Sequence, residues 1–477
     1  MAKVFLINPS MDILSAFGEY HKLMEPMPCI GLAYIASSCQ KAGHEVFMLD
    51  NFVEKKPFED IVESVKSFGA DIVGISMLTP TANSTEALGH YIKTRLPSVK
   101  VVFGNLHASL FAENLINRGA CDAVVHGEGE IIFPRLIEAF LNKSDISKIQ
   151  GISYKGEEGI VFTGISDPIE DLDALPRPAW ELFPWRDYSF LPFVTVAKPC
   201  LAISGSRGCP FRCKFCAMGY MGNLVRKRSP ESIADEIEWL VKEFGARHIG
   251  FVDPIFPLDK KHAIATCRAI RAKNMPEKWW WTCETRVDIV DEEMCREMKL
   301  ARCKRILFGI ESGVNEVLAG VGKGYTTDNV KRGIVAARSA GLEISAFFML
   351  GLPGETKETA KQTIDFALSL DIDFAKFAIT IPLPGSELYD DLVKQGKISQ
   401  PEWESFTTFN PDPDSLPYIP EGMTGKELLQ LHRMANVKFY LRPKMIFRHL
   451  FVIRSIGLKM MFNGAMLILK QLFKDRK

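Results

Sequence analysis

The chain has 477 residues, 47% hydrophobic and 24% charged, with 58 Lys and Arg against 58 Asp and Glu. That is ordinary globular composition, long enough for two or three cores, and it excludes a disordered or collagen-like chain. Balanced charge gives no global field for nucleic acid, and eleven cysteines behind a start with no signal-peptide pattern read as thiols, ligands or core residues.

Short apolar runs at Val4–Ile7, Glu45–Leu49, Asp71–Ser76, Lys100–Phe103 and Ala123–Val125 are the first predicted strands. Between them Ile30–Lys41, Phe58–Phe68, Thr81–Arg95 and Glu130–Phe140 carry apolar residues at helical spacing, as crossovers of a parallel sheet must. A doubly wound five-stranded parallel sheet over residues 1–145 follows. Ligands of such sheets bind beyond the carboxyl ends of the strands, which groups Pro9–Met11, Ser76–Pro80, Gly104–His107 and His126–Glu130 around one crevice.

Prolines accumulate over residues 146–195, a linker with a small hairpin. A second βα rhythm fills residues 196–385, with strands at Cys200–Ser204, His248–Val252, Trp280–Glu284, Arg305–Ile310, Ile344–Leu350 and Phe374–Ile379. Six strands make a partial (β/α)6 barrel, whose working groups belong at the carboxyl ends of the strands. Residues 386–477 form a C-terminal helical segment. On a helix after Pro443, Lys444, Arg448, Lys459, Lys470 and Lys474 share one side, with Arg454 the exception. Leu450, Ile453, Met461, Ile468 and Leu472 face away, and Phe451, Phe462 and Phe473 widen that apolar face. This basic amphipathic pattern suits a membrane surface or, alternatively, packing across the barrel. No stretch is apolar enough to span a bilayer, so the expected location is cytoplasmic, with peripheral contact at the inner membrane face.

The sharpest motif is Cys209-Pro-Phe-Arg-Cys213-Lys-Phe-Cys216, directly after the first barrel strand. Three thiolates can converge in one tight loop, and no nearby fourth Cys or His completes a closed zinc site. Thiolates select iron-sulfur clusters or zinc, and three ligands leave one iron of a cluster open. The remaining eight cysteines show no tight spacing and read as core, although Cys295 and Cys303 could meet in space.

The CxxxCxxC run with Phe215 before its last cysteine resembles the signature of radical S-adenosylmethionine enzymes. The resemblance spans roughly Cys200 to Pro384. It implies a [4Fe-4S] cluster on Cys209, Cys213 and Cys216, whose open iron chelates S-adenosylmethionine and whose electron cleaves it to a 5′-deoxyadenosyl radical. It further implies cofactor contacts at Asp253, at Glu284 and Arg286, and at Gly309, Glu311 and Ser312, each near a strand end. For Glu284 and Arg286 a surface ion pair is the competing account.

A doubly wound domain before such a barrel, with Gly127-Glu128-Gly129 after its fifth strand, resembles the cobalamin-binding class of this family. A GxGxxG fingerprint is absent after the first strand, which disfavours nicotinamide. The resemblance implies a corrinoid lined by Ser76, Leu78, Thr79, Gly104, His107, Gly127, Glu128 and Gly129. No DxHxxG run is found, so binding without a histidine under the cobalt is expected. His107 and His126 could equally be satisfied loop histidines.

The leading expectation is a cobalamin-dependent radical methyltransferase that methylates an unactivated carbon of a hydrophobic substrate such as a lipid, isoprenoid or tetrapyrrole. A flavodoxin or ferredoxin would be its reductant, and no nucleic-acid partner is expected. An oxidative cyclase of the magnesium-protoporphyrin ester cyclase type is the alternative within the family, and a non-catalytic corrinoid or iron-sulfur sensor the alternative outside it.

Overall fold

The computed structural model describes residues 1–11, 21, 23–398, 402–408, 412–452, 463–464 and 466–467. They form two compact units. The first holds residues 1–11, 29–187 and 402–404, and the second holds most of the remainder from residue 188 onward, together with 21 and 23–28.

In the first unit, β1 (Lys3–Asn8), β2 (Glu45–Asp50), β3 (Ile72–Ser76), β4 (Lys100–Gly104) and β5 (Ala123–Val125) run parallel in the order β2-β1-β3-β4-β5. Every residue of β3 is buried, because helices cover both faces of such a sheet, and the sequence is correspondingly apolar without alternation. The hairpin β6 (Ile152–Gly156) and β7 (Gly159–Phe162) adds antiparallel to β5, so the sheet has seven strands. Sequence reading left this hairpin in a linker. In the structure it covers a three-residue strand that would otherwise expose its edge.

The second unit contains β8 (Cys200–Ile203), β9 (His248–Phe251), β10 (Trp280–Thr285), β11 (Cys303–Glu311), β12 (Glu343–Leu350) and β13 (Phe374–Ile379). They lie side by side in chain order, all parallel. This is the expected six-stranded partial barrel, and it brings all six carboxyl ends to one rim. The open edge at β13 is covered by the helix Gly425–Tyr440: the Tyr440 hydroxyl donates to the Ala375 carbonyl at 2.8 Å, and His432 Nε2 donates to the Phe377 carbonyl at 2.9 Å.

Residues 188–196 close the opposite end of the barrel. Arg305, fully buried, pairs with Glu343 at 2.6 Å and donates to the carbonyls of Pro192 and Thr195, while the Ser345 hydroxyl donates to the Phe193 carbonyl at 2.6 Å. Phe190 lies over Gly250 so closely that a β-carbon there would stand 2.4 Å from the ring.

Seven of the eight cysteines outside the motif are buried, Cys29 being half-buried. Cys295 does approach Cys303, and Cys267 and Cys283 join them within electrostatic reach. Burial pushes the Cys295 thiol up to about 12, as suits protonated core thiols.

In the described part of the C-terminal region the basic groups meet acidic partners. Lys444 and Arg448 are tied to Asp371 at 3.0 and 3.1 Å, and Arg448 reaches Asp373 at 3.2 Å, so these basic groups are engaged within the unit. Lys444 stays exposed beside its partner, and Ile446, Phe447 and Leu450 are exposed as well. Ile453, Arg454, Lys459, Met461, Phe462, Ile468, Lys470, Leu472, Phe473, Lys474 and the Phe451 side chain lie outside the described residues.

Gly250→Ala should force Phe190 from its seat and destabilise the fold by about 1–3 kcal/mol, the usual range for overpacking. Denaturant unfolding checks this, and a second change, Phe190→Leu, should recover part of the loss.

Candidate functional site

The cysteine loop begins where β8 ends, and its first turn is fixed by Asp253 just beyond β9. The Gly205 amide donates to one carboxylate oxygen at 3.0 Å and the Ser206 hydroxyl donates to the other at 2.6 Å. Burial pushes the Asp253 carboxyl up to about 6, against these hydrogen bonds. Both oxygens therefore serve the loop. Gly208 must be glycine, since its φ is +90° and a β-carbon would sit 2.1 Å from the Leu224 carbonyl oxygen.

Farther along, the loop is held from two sides at one residue. The Lys214 amide donates to the Val321 carbonyl at 3.1 Å, and the Leu388 amide donates to the Lys214 carbonyl at 2.9 Å. Phe215 packs its ring against Val314, Val317, Val321 and Leu352 on one side and Leu388, Leu392 and Ile398 on the other. Its role in this structure is to seat the loop.

Cys209, Cys213 and Cys216 are half-buried free thiols. Burial raises the Cys213 and Cys216 thiols, and each also feels the charge of Cys209. Among the described residues no three His, Cys, Asp or Glu side chains converge as ligands of a single metal ion. A cluster that takes each thiolate on a different iron makes no such demand. Three unpaired thiols in one anchored loop fit that group, with ligation supplying the deprotonation that burial opposes.

At the end of β11 the register slips between Gly309 and Glu311, a bulge that re-aims the carboxylate, and Glu311 takes φ +66°. Lys323 meets it at 2.7 Å, both side chains buried. Burial, the largest influence, works against the Lys323 charge, but Glu311, Tyr325 and Cys213 together raise the ammonium. The Tyr325 hydroxyl donates to the Gly309 carbonyl at 2.5 Å and to that of Ile310 at 3.2 Å, which holds the bulge. Ser312 shares its hydroxyl with Thr363 at 2.9 Å. Removing one partner of such a buried ion pair costs about 3–5 kcal/mol.

Arg286, beyond β10, stacks 3.7 Å from the Phe211 ring and 4.8 Å from that of Tyr325. Its Nε and Nη2 bind Asp288 at 3.0 and 2.9 Å, leaving Nη1 buried without a hydrogen-bond partner among the described residues. An orphaned guanidinium donor beside the cysteine loop fits an anionic ligand group, here the carboxylate expected of S-adenosylmethionine. Glu284 is half-buried at the end of β10, and burial with nearby Glu311 pushes it up to about 7, against Lys376 and Lys323. Lys376 lies 5.7 Å from the rings of both Phe193 and Phe347. Phe347, Met349 and Lys376 are half-buried while their strand neighbours are buried, so these side chains are the partly exposed ones of their strands beyond Glu343.

Structure thus gathers Glu284, Arg286, Gly309, Glu311 and the three cysteines at one rim, and places Asp253 and Phe215 as supports of the loop. Lys323, Tyr325 and Lys376 were not singled out from sequence. Lys376 carries a usable signal, a lysine inside the apolar strand Phe374-Ala-Lys-Phe-Ala-Ile379. Lys323 shows only a glycine-flanked position in Gly320-Val-Gly-Lys-Gly324.

In the first unit the carboxyl ends of β3, β4 and β5 carry the other predicted group. The Asn105 amide donates to the Ser76 hydroxyl at 3.0 Å, and Thr79 meets His107 Nδ1 at 3.2 Å. The His107 ring lies among Phe111 and Trp403, and burial pushes it down to about 4, so it is neutral. His126 bonds Ser153 at 2.8 Å and packs on Phe162, a satisfied loop histidine. Glu128 accepts from the Ile169 amide at 2.7 Å. Gly127 has φ +74° with open space around it, whereas a β-carbon on Gly129 would stand 3.1 Å from Ile35, so Gly129 answers to helix packing. Gly104 is open to within 4.0 Å, and Leu78 is exposed. Left-handed turns at Asn105 and Gly127, paired hydroxyls and a solvent-facing leucine suit a flat macrocycle edged with amides.

Comparison with known proteins agrees with both halves. Residues 203–367 match the Radical SAM superfamily and residues 21–137 match the B12 binding domain. The chain is 33% identical to an uncharacterized methyltransferase of Pyrococcus horikoshii, over 93% of this chain and 94% of that one. It is 28% identical to the anaerobic magnesium-protoporphyrin IX monomethyl ester cyclase of Cereibacter sphaeroides, over 92% and 72%. Its fold is that of the cobalamin-dependent S-adenosylmethionine radical enzyme OxsB, solved with aqua-cobalamin and S-adenosylmethionine, at TM-score 0.72 and 17% identity over 100% of this chain and 80% of that one.

Because the native Asp253 carboxyl is raised to about 6, the folded state holds its proton over a range where the unfolded chain has released it. Stability should therefore fall as pH rises from about 4 to about 6. Asp253→Asn should remove that slope in denaturant titrations across the window.

Proposed function

This chain belongs to the cobalamin-binding radical S-adenosylmethionine enzyme family, and from that premise we propose that it methylates an unactivated carbon of a hydrophobic substrate. Its cofactors are a [4Fe-4S] cluster, S-adenosylmethionine and cobalamin. When bound, the first two supply a strong hydrogen-abstracting radical and cobalamin supplies a transferable methyl group.

The observation that carries this reading is the anchored loop of three free thiols at the carboxyl rim of a parallel six-stranded barrel. In it Cys209, Cys213 and Cys216 hold the cluster, and Asp253 and the two bonds at Lys214 keep the thiols in place. Arg286 offers Nη1 to the carboxylate of S-adenosylmethionine, and Glu311 faces the same rim. Residues 188–196 pack over the barrel's far end, and a radical process gains from a site closed to water. Ser76, Leu78, Thr79, Gly104 and Gly127 border cobalamin, and the lack of a DxHxxG run supports binding without a histidine under the metal.

A hydrophobic substrate is supported by the half-buried rings of Phe193 and Phe347 and by Met349, which present apolar surface beside Lys376 and Glu284. A low-potential flavodoxin or ferredoxin is the proposed reductant. The oxidative cyclase reading keeps support from the Cereibacter sphaeroides relative.

Anaerobic reconstitution with cluster, cobalamin and methyl-labelled S-adenosylmethionine, followed by a search for labelled products in a lipid extract, tests the proposal. Methylated product is expected, and Cys213→Ala should reduce deoxyadenosine to background. Deoxyadenosine without label transfer would favour cyclisation, and no corrinoid absorbance band would refute the cobalamin assignment.

Among the described residues no helix is long and apolar enough to cross a membrane. Peripheral contact is proposed through Ile446, Phe447 and Leu450, whose exposed side chains would enter the acyl boundary. Phe447→Ser with Leu450→Ser should abolish co-flotation of the full chain with anionic phospholipid vesicles. Unchanged flotation, or none in the parent chain, would refute it.

A further inference from the structure

The Lys323 loop is built onto the cysteine loop. Its Val321 carbonyl takes the Lys214 amide bond, and Gly322, at φ +73°, passes so near that a β-carbon would stand 3.1 Å from the Arg212 carbonyl oxygen. Lys323 itself lies 5.9 Å from the Phe215 ring, which separates Cys213 from Cys216 in the motif. Its ammonium pairs with Glu311 at 2.7 Å.

We propose that Lys323 is a positioning residue for electron entry: its ammonium, held by Glu311 and carried on a loop bonded to the cysteine loop, raises the reduction potential of the cluster. The inference rests on the assignment of Cys209, Cys213 and Cys216 as ligands.

The physical basis is charge. A single electron passes from a low-potential donor to the cluster; no bond forms or breaks and no proton moves in that step. The cluster with its thiolates becomes more negative by one unit, and a fixed cation beside it stabilises the reduced state. In a partly buried site the effect is far larger than in water. Glu311 opposes it, so orientation decides the sign. Lys323 is carried on the loop bonded to the cysteine loop, with its ammonium 5.9 Å from the Phe215 ring, whereas the Glu311 carboxylate belongs to the strand end and turns back to within 2.7 Å of where a β-carbon on Gly309 would stand. The ion pair is thus a dipole with its positive end toward the cysteine loop. Sequence alone could not show this, because the lysine follows Glu311 by twelve positions through an intervening helix, Asn315–Gly320.

The test is an electron paramagnetic resonance titration of the reduced-cluster signal. It uses the anaerobically reconstituted full chain with dithionite as donor and without S-adenosylmethionine. At a fixed potential, Lys323→Met should lower the ratio of reduced to oxidised cluster at least tenfold, which is a midpoint shift of 59 mV or more to the negative for one electron. Lys323→Arg should stay near the parent value. The double change Lys323→Met with Glu311→Gln, which leaves no unpaired buried carboxylate, should shift in the same direction by less. It decides by the sign of its shift if the single variant assembles no cluster.

A parent-like midpoint in the neutral variants, with iron and sulfide content also parent-like, would overturn the proposal, even if their affinity for S-adenosylmethionine fell. Failure of the parent chain itself to hold four irons would instead refute the ligand assignment, a separate outcome read from iron content alone.

Discussion

The structure around the rim depends on one residue's backbone. Lys214 gives its amide to Val321 and receives at its carbonyl the amide of Leu388. A loop of three cysteines has no regular secondary structure to place it, and three thiols bring no attraction of their own before a ligand arrives. These two main-chain bonds, each worth roughly 0.5–1.5 kcal/mol net, matter less for their energy than for what they join. They tie the middle of the motif to the segment after β11 and to the segment after β13. The loop thereby inherits the geometry of the barrel, and Phe215 fills the gap between the two ties with apolar contact.

The same principle of borrowed rigidity explains the charged groups. Glu311 sits at a bulge in a left-handed conformation that costs free energy. The conformation is held because Tyr325 binds the carbonyls before it and Lys323 binds its carboxylate. Arg286 is flattened against two rings and fixed by Asp288. Each group that faces the cofactor region is thus oriented by protein contacts before any ligand is present, which is the condition for electrostatic preorganisation.

Sequence reading recovered the architecture well because its signals are strong ones. Strands buried on both faces leave uninterrupted apolar runs, as at Ile72–Ser76, and the alternation with helices dictates parallel sheets. The small hairpin expected between residues 146 and 195 is found at Ile152–Phe162, but its place at the edge of the first sheet was not legible, because pairing with β5 is a tertiary choice. At the rim, cysteines announce themselves by spacing, whereas Lys323 and Tyr325 work through partners twelve or more positions away. Asp253 was legible as a carboxylate near a strand end, but not as a hydrogen-bond acceptor for the loop beside it. Gly129 reads like a ligand glycine, and nothing in the sequence signalled that Ile35 also packs against it.

The seal at the amino-terminal end of the barrel has a consequence for how the strands are used. With Phe190 seated on Gly250 and the Phe193 carbonyl bound by Ser345, the chain fills that end with its own residues. The cysteines, Glu284, Arg286 and Glu311 stand at the other end, so the direction of the strands is also a division of tasks: one end is given over to closure and the other is kept for chemistry.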